Sequence, residues 1–182
     1  MELVSQNITA ETIMELSPRN GALEGDPSRD LLKVAVFERH RAEGGIALGF
    51  LQGFGAKVGA VGTTANLDEN TLLVAGSSDQ DMARCADVLI EAGGGMAVVD
   101  HGEVLEKIEL PVGGIFSLSP WRETGVELSR IHRRLRERGS PFSKPIYALC
   151  FLTFVTLPAL RITARGLIAA KERKVVSLFV DG

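Results

Sequence analysis

Only two residues, His101 and Gly102, separate the apolar run 96–100 (MAVVD) from the run 103–110 (EVLEKIEL). A connection this short, ending in glycine, suits a tight turn with positive φ, so the two runs are read as paired antiparallel strands. The alternation of Val104, Ile108 and Leu110 with Glu106 and Glu109 is imperfect, which leaves the register open. Residues 31–38 (LLKVAVFE) are β-rich and carry apolar side chains on both faces from Val34 onward, as a central strand does. Residues 59–64 (GAVGTT) and 71–77 (TLLVAGS) read as two more strands joined by the turn-rich segment 65–70 (ANLDEN). A hairpin and an irregular crossover both fit that connection.

Helices are marked by their ends. Ser78 is a good cap for a helix over residues 79–91, and Asp79 and Asp81 in its first turn suit the positive end of the helix dipole. Met82, Cys85, Ala86, Leu89 and Ile90 recur at three and four and give it one apolar face, and Gly93, Gly94 and Gly95 end it. That triple glycine follows a helix and precedes a strand, the reverse of the order that aims a helix N-terminus at a phosphate. A second helix is predicted over residues 120–138, with Ser119 as cap, Pro120 in the first position and Gly139 as stop. Its apolar positions Val126, Leu128, Ile131 and Leu135 should cover a sheet, with Arg130, Arg133, Arg134, Arg136 and Arg138 as a solvated face.

Residues 46–54 are harder to assign. Gly45, Gly49 and Gly53 stand four apart, which suits close approach on a helix or positive φ in a loop. Residues 1–29 read as a polar appendage with a short helix at 9–16 capped by Thr9, ahead of a domain over residues 30–182. Two further strands are expected near 147–154 and 175–179. The fold class is α+β, a mixed or largely antiparallel sheet flanked by helices.

Composition narrows the function classes. A chain of 182 residues buries about 70% of its unfolded surface and folds without metal or disulfide support. The net charge is −3, and basic residues cluster only in residues 130–138, so no nucleic-acid partner is expected. The longest apolar run, residues 146–160, is interrupted by Pro158 and falls short of the ~20 residues of a membrane span, so it reads as a buried core segment. Cys85 and Cys150 form no CxxC pair, and the opening residues lack a basic and apolar leader pattern. Reduced, buried thiols in a cytoplasmic protein are therefore expected. The three histidines, His40, His101 and His132, make no HxH or HxxxH pair, so none is assigned to metal.

Several segments together resemble one family. Residues 30–40 (DLLKVAVFERH), 46–55 (IALGFLQGFG), 53–82 (GFGAKVGAVGTTANLDENTLLVAGSSDQDM), 89–100 (LIEAGGGMAVVD), 110–117 (LPVGGIFS) and 176–180 (VSLFV) are similar, in this order, to the C-terminal domain of the bacterial adenine deaminases. The similarity covers roughly residues 20–182. The resemblance implies an enzyme of the metal-dependent amidohydrolase type, hydrolysing adenine to hypoxanthine and ammonia with manganese or iron held in a large N-terminal barrel. A barrel of that kind takes about 250 residues, so the chain is expected to hold no cofactor and to be inactive alone. Its implied partner is an amidohydrolase barrel subunit. Without one, the glycine-rich residues 46–55 and the apolar residues 110–118 need another cover, so a homo-oligomer is expected.

Two segments carry the candidate site. Glu38, Arg39 and His40 form a polar cluster at the end of a strand, where the resemblance places the junction with the barrel. Residues 65–70 occupy the turn that in the family usually reads Ala-His-Asp-Ser-His-Asn. Ala65 and Asn70 agree with it, whereas Asn66 and Glu69 stand in the histidine positions and Leu67 in the aspartate position. An amide cannot serve as a base, so Glu69 and His40 are the catalytic candidates. Glu38, Arg39, His40, Asn66, Asp68 and Asn70 are the binding candidates, and if the domain still lines an active site they should converge with Glu69 on one cleft. The alternative reading is a non-catalytic module, derived from that domain, that binds a small molecule or assembles with a protein.

Overall fold

The computed structural model describes residues 1–18, 21–41 and 44–180. The chain runs β1 (Glu2–Leu3), β2 (Thr9–Ala10), a 3-10 turn (Pro27–Arg29), β3 (Leu31–Phe37), β4 (Ile46–Gln52), β5 (Ala60–Thr63), β6 (Leu72–Gly76) and α1 (Asp79–Glu91). It continues with β7 (Gly95–Asp100), β8 (Glu103–Glu109), α2 (Trp121–Glu137), α3 (Pro145–Cys150), β9 (Leu160–Thr163), β10 (Gly166–Ala169) and β11 (Lys174–Val176). Eight strands form one sheet in the order β2-β1-β4-β3-β6-β5-β7-β8, and β11-β10-β9 form a second. Every pairing is antiparallel except that of β1 with β4. The fold is therefore α+β with a mixed, largely antiparallel sheet.

Local chemistry explains the elements that sequence patterning anticipates. His101 (φ 52°) and Gly102 (φ 80°) make the tight turn between β7 and β8, and the buried carboxylate of Asp81 accepts both turn N–H groups, at 3.1 and 2.7 Å. The imperfect alternation along β8 has its cause in a bulge of that strand at Leu105, which is skipped as the register passes from Val98–Glu106 to Val99–Val104. Helix α1 begins at Ser78, whose hydroxyl accepts from Asp81 N–H at 3.2 Å. It ends in a glycine cap, with Gly94 N–H bonded to Leu89 C=O and Gly93 N–H to Ile90 C=O. Between β5 and β6 the connection is a hairpin, since the two strands pair directly.

The large sheet is covered on both faces. On one side, Ala35, Val74, Ala97 and Val99 pack against Met82, Cys85 and Leu89 of α1. On the other, Leu32, Val34, Val36, Leu73, Ala75 and Val98 meet Ile131 and Leu135 of α2, Ile146 and Leu149 of α3, and Ile162 and Leu167 of the small sheet. Both cysteines are free and buried. Among the described residues no helix is long and apolar enough to cross a membrane.

Five sequence expectations need correction. Residues 147–154 do not form a strand: Pro145 opens α3 instead, and Ile146, Leu149 and Cys150 bury one helical face of it. A short apolar run does not distinguish strand from buried helix by periodicity. The helix expected at 9–16 is absent. Thr9 lies in β2, and its hydroxyl donates to Leu160 C=O at 2.6 Å rather than capping a helix, so the opening residues are woven into the sheet. Residues 46–52 are neither helix nor loop but strand β4, where Gly49 leaves room for Ile162 and Leu167 of the small sheet to pack against the backbone. Helix α2 starts one residue late, with Pro120 as its uncapped boundary. The last strand is Lys174–Val176 rather than 175–179.

One buried cation ties the lower layer together. Arg161 is fully buried and donates to the carbonyls of Leu157 (2.9 Å), Phe151 (3.1 Å) and Asn7 (2.9 Å), and to that of Pro158. Burial lowers its pKa to about 10, which still leaves it protonated at neutral pH. The sheet is equally tight at Gly76, where an added Cβ would lie 2.4 Å from Gly59 C=O and 2.6 Å from Met82. Gly76→Ala should cost about 1–3 kcal/mol of stability by overpacking, measured as a lower midpoint in urea; an unchanged midpoint would contradict this packing.

Candidate functional site

The site begins where β3 leaves the sheet. The Glu38 carboxylate accepts the backbone N–H of His40 (2.6 Å) and of Arg41 (3.0 Å), folding residues 38–41 into a turn that projects His40 outward. Glu38 N–H itself bonds Gly45 C=O at 2.8 Å, which closes the turn onto β4.

Residues 65–70, between β5 and β6, supply the opposite wall. Asn66 is buried within this loop: its amide donates to Thr71 C=O at 2.6 Å, and its oxygen accepts from Thr71 N–H at 3.3 Å and the Thr153 hydroxyl at 3.2 Å. Leu67 N–H reaches Cys150 C=O at 2.9 Å, so α3 buttresses the loop from behind. Asp68 (φ 70°) and Asn70 (φ 46°) take left-handed conformations, which Asp and Asn tolerate better than other side chains.

The two walls meet. His40 Nε2 lies 2.6 Å from Glu69 C=O, and because a carbonyl only accepts, Nε2 carries a proton in this contact. Arg39 donates to Asn70 C=O at 3.3 Å and to Gly113 C=O at 3.4 Å. Gly114 has no Cβ to spare here, since one would sit 2.0 Å from the guanidinium. A cleft of about 510 Å³ results, lined by Glu38, His40, Arg41, Gly45, Glu69, Thr71, Ala164 and Arg165.

Of the residues expected in the site, Glu38, His40 and Glu69 therefore share one cleft, and Arg39 and Asn70 brace its side. Asp68 is exposed at the loop tip. Asn66 stands behind the wall, not in the cleft, with its amide engaged in holding the loop. Arg165 and Ala164 enter from the turn between β9 and β10, nearly a hundred positions from Glu69. Sequence reasoning missed them because no local pattern links that turn to the loop at 65–70. His101 and His132 lie elsewhere. His132 packs edge-on to Tyr147 with centroids 5.2 Å apart, and burial, then Lys144 and Arg136, push its pKa down to about 4.

Glu69 is half-buried at the cleft wall. Desolvation raises its carboxyl above the usual range, while the Ala164 N–H (3.2 Å from Oε2) and the charges of Arg165 and His40 oppose the rise and Asp68 adds to it. A histidine at the mouth of the cleft and a half-buried carboxyl of raised pKa in its wall are groups suited to accepting and returning protons. Among the described residues no group of three or more His, Cys, Asp or Glu side chains could hold an ion.

A raised pKa in the folded state means stability that is fully present below the unfolded carboxyl value of about 4.3 and is lost as pH climbs through the folded value. Glu69→Gln keeps an oxygen for Ala164 N–H and removes that loss. The variant should unfold at a higher temperature than the parent at neutral pH, with the difference closing as pH falls toward the unfolded value. A variant less stable than the parent at neutral pH would contradict the desolvation of Glu69.

Comparison with known proteins places the chain in a family. The family described as adenine deaminase C-terminal domain matches residues 6–174. The chain is 38% identical over 182 residues to an adenine deaminase of Clostridium botulinum (strain ATCC 19397), covering 100% of this chain and 30% of that protein. It is 38% identical over 179 residues to that of Moorella thermoacetica, covering 98% and 30%. With the adenine deaminase of Cereibacter sphaeroides it shares 40% over 161 residues, covering 88% and 28%. The chain thus spans about three tenths of the length of these relatives. Matched from the segment after β1 to the start of β11, the chain belongs to the adenine deaminase C-terminal domain family.

Proposed function

We propose that this domain serves an enzyme that hydrolyses adenine to hypoxanthine and ammonia, and that the cleft between residues 38–41 and 65–70 faces the catalytic portion of that enzyme. The observation that carries the reading is the 2.6 Å contact between His40 Nε2 and Glu69 C=O, which holds two segments some thirty positions apart around one opening. In the reaction, water adds at the ring carbon bearing the exocyclic amine, the C–N bond breaks, and the departing nitrogen gains a proton to leave as ammonia. The metal that activates such a water, manganese or iron by resemblance, would be held by the portion of the longer relatives that this chain does not match.

Within that scheme the chain's own groups have limited, definite tasks. His40 Nδ1 accepts a proton at the mouth of the cleft, and Glu69 holds one when its surroundings are dry. Arg39 fixes the loops at 70 and 113 and so sets the width of the opening. Arg41 and Arg165 line the cleft with positive charge, suited to a carboxylate of the partner. Nothing in this set performs hydrolysis alone, so the isolated chain is inactive in this reading. A cytoplasmic setting suits it, with both thiols buried and free.

The alternative, a non-catalytic binding or assembly module, is favoured by one observation: Asn66, in a position where the family usually carries histidine, is occupied wholly in bracing its loop. One experiment separates the two. The chain is mixed with the Clostridium botulinum adenine deaminase truncated before its matching segment, and ammonia release from adenine is followed with added manganese. The catalytic reading expects activity from the mixture and none from the chain alone, with His40→Ala and Glu69→Ala each lowering the rate by about 10²-fold or more. Activity indifferent to both substitutions would leave the cleft a structural role, and absence of activity in the mixture would favour the module.

A further inference from the structure

The large sheet has an open edge in an unusual place. Strand β4 is seven residues long, yet on the side away from β3 it is paired only at its end, by β1. The Met1 nitrogen donates to Phe50 C=O at 2.9 Å, and Gln52 N–H donates to Met1 C=O at 2.9 Å. Backbone groups along an antiparallel strand point alternately to its two sides. Since Phe50 C=O and Gln52 N–H face β1, Phe50 N–H, both polar groups of Leu48 and those of Ile46 face the same way. Among the described residues no strand meets them. Two large apolar side chains stand on this stretch, Ile46 at 56% exposure and Leu48 at 51%. Helix α1 packs chiefly on β5, β6 and β7 and leaves them uncovered.

An unpaired edge bearing exposed apolar side chains is a template for another strand. Direction and register are already set by β1, which runs parallel to β4. A strand continuing β1 backward would place the residue two before Met1 so that its N–H reaches Leu48 C=O and its C=O takes Phe50 N–H. Two residues further back, the same pattern would satisfy Leu48 N–H and Ile46 C=O. The relatives are more than three times as long as this chain, and the family is by description their C-terminal domain, so in them other polypeptide precedes this position.

We propose that the open edge of β4, from Ile46 to Phe50, is a strand-addition site filled by an extended segment of the polypeptide that precedes this domain in its longer relatives, continuing β1 in parallel. The segment must lack proline at the bonding positions and carry apolar side chains over Ile46 and Leu48. Its far end would lie beside Gly45, which lines the cleft. The upstream portion is thereby delivered to the cleft end of the sheet. The inference rests on membership of the family and not on the catalytic reading, because its test involves neither adenine nor metal.

The test is amide hydrogen exchange on the full chain, with and without the ten or so residues (roughly the span of β4 plus a turn) that precede the matching segment in the Clostridium botulinum relative. In the extended protein, the Leu48 and Phe50 amides should exchange at least about tenfold more slowly, while Val98 in the central sheet stays unchanged as an internal reference. Proline placed two residues before Met1, which removes the N–H that reaches Leu48 C=O and stops the strand from continuing, should return Leu48 to its original rate without touching Val98. Unchanged exchange at Leu48 and Phe50 in the extended protein would overturn the proposal. Protection already present in the unextended chain, and rising with protein concentration, would overturn it too, since a second copy would then hold the edge.

Discussion

A single buried amide decides where the site is. Asn66 satisfies both ends of its own loop through Thr71 and anchors that loop to the segment after α3 through Thr153. The loop contains two residues in left-handed conformations, which cost free energy unless the surroundings over-determine them. Asn66 provides that constraint from inside, with buried bonds that have no water to replace them. Glu69 hangs from the loop so fixed, and its carbonyl is what His40 grips.

Around this point the architecture supplies rigidity and reach. The strands β3, β5 and β6 are buried on both faces, so the turns at their ends are carried on a frame that packing holds tightly. The second sheet contributes Ala164 and Arg165 to the same opening, and Arg161, two strand positions before the turn, locks that sheet to the segment after α3 and to the loop following β1. The walls of the cleft thus come from three separate turns, each carried on a packed frame. Arg41 and Arg165 put positive charge on the rim of that opening.

Much of the frame was legible in the residues themselves. Ser78 and the Gly93–Gly94 pair bounded α1, and the His101-Gly102 turn placed β7 against β8, because caps and tight turns are chemical events within a few residues. The strand run at 31–38 was legible for the same reason. The errors share another cause. The segment at 147–154 and the glycine series from Gly45 to Gly53 took their form from distant partners: α3 from the core behind β5, β4 from Ile162 and Leu167 across the small sheet. In the site, residues 38–40 and 69–70 were expected to meet only on the condition that the domain still lines an active site, a condition drawn from the family resemblance. The withdrawal of Asn66 behind the wall and the arrival of Arg165 did not, since both depend on contacts with α3 and the second sheet that no spacing encodes.

The account stands on His40 being held by Glu69 through a loop that Asn66 braces, and the imidazole nitrogen shifts of His40 in mildly alkaline solution report this directly. Nitrogen-15 spectra of the folded chain should show a single dominant tautomer with Nε2 protonated and Nδ1 bare, and Asn66→Ala should return His40 to the mixed tautomers of a free histidine while the hairpin at His101 keeps its spectrum. A His40 that averages both tautomers in the parent protein, or that is indifferent to Asn66→Ala, would contradict the account.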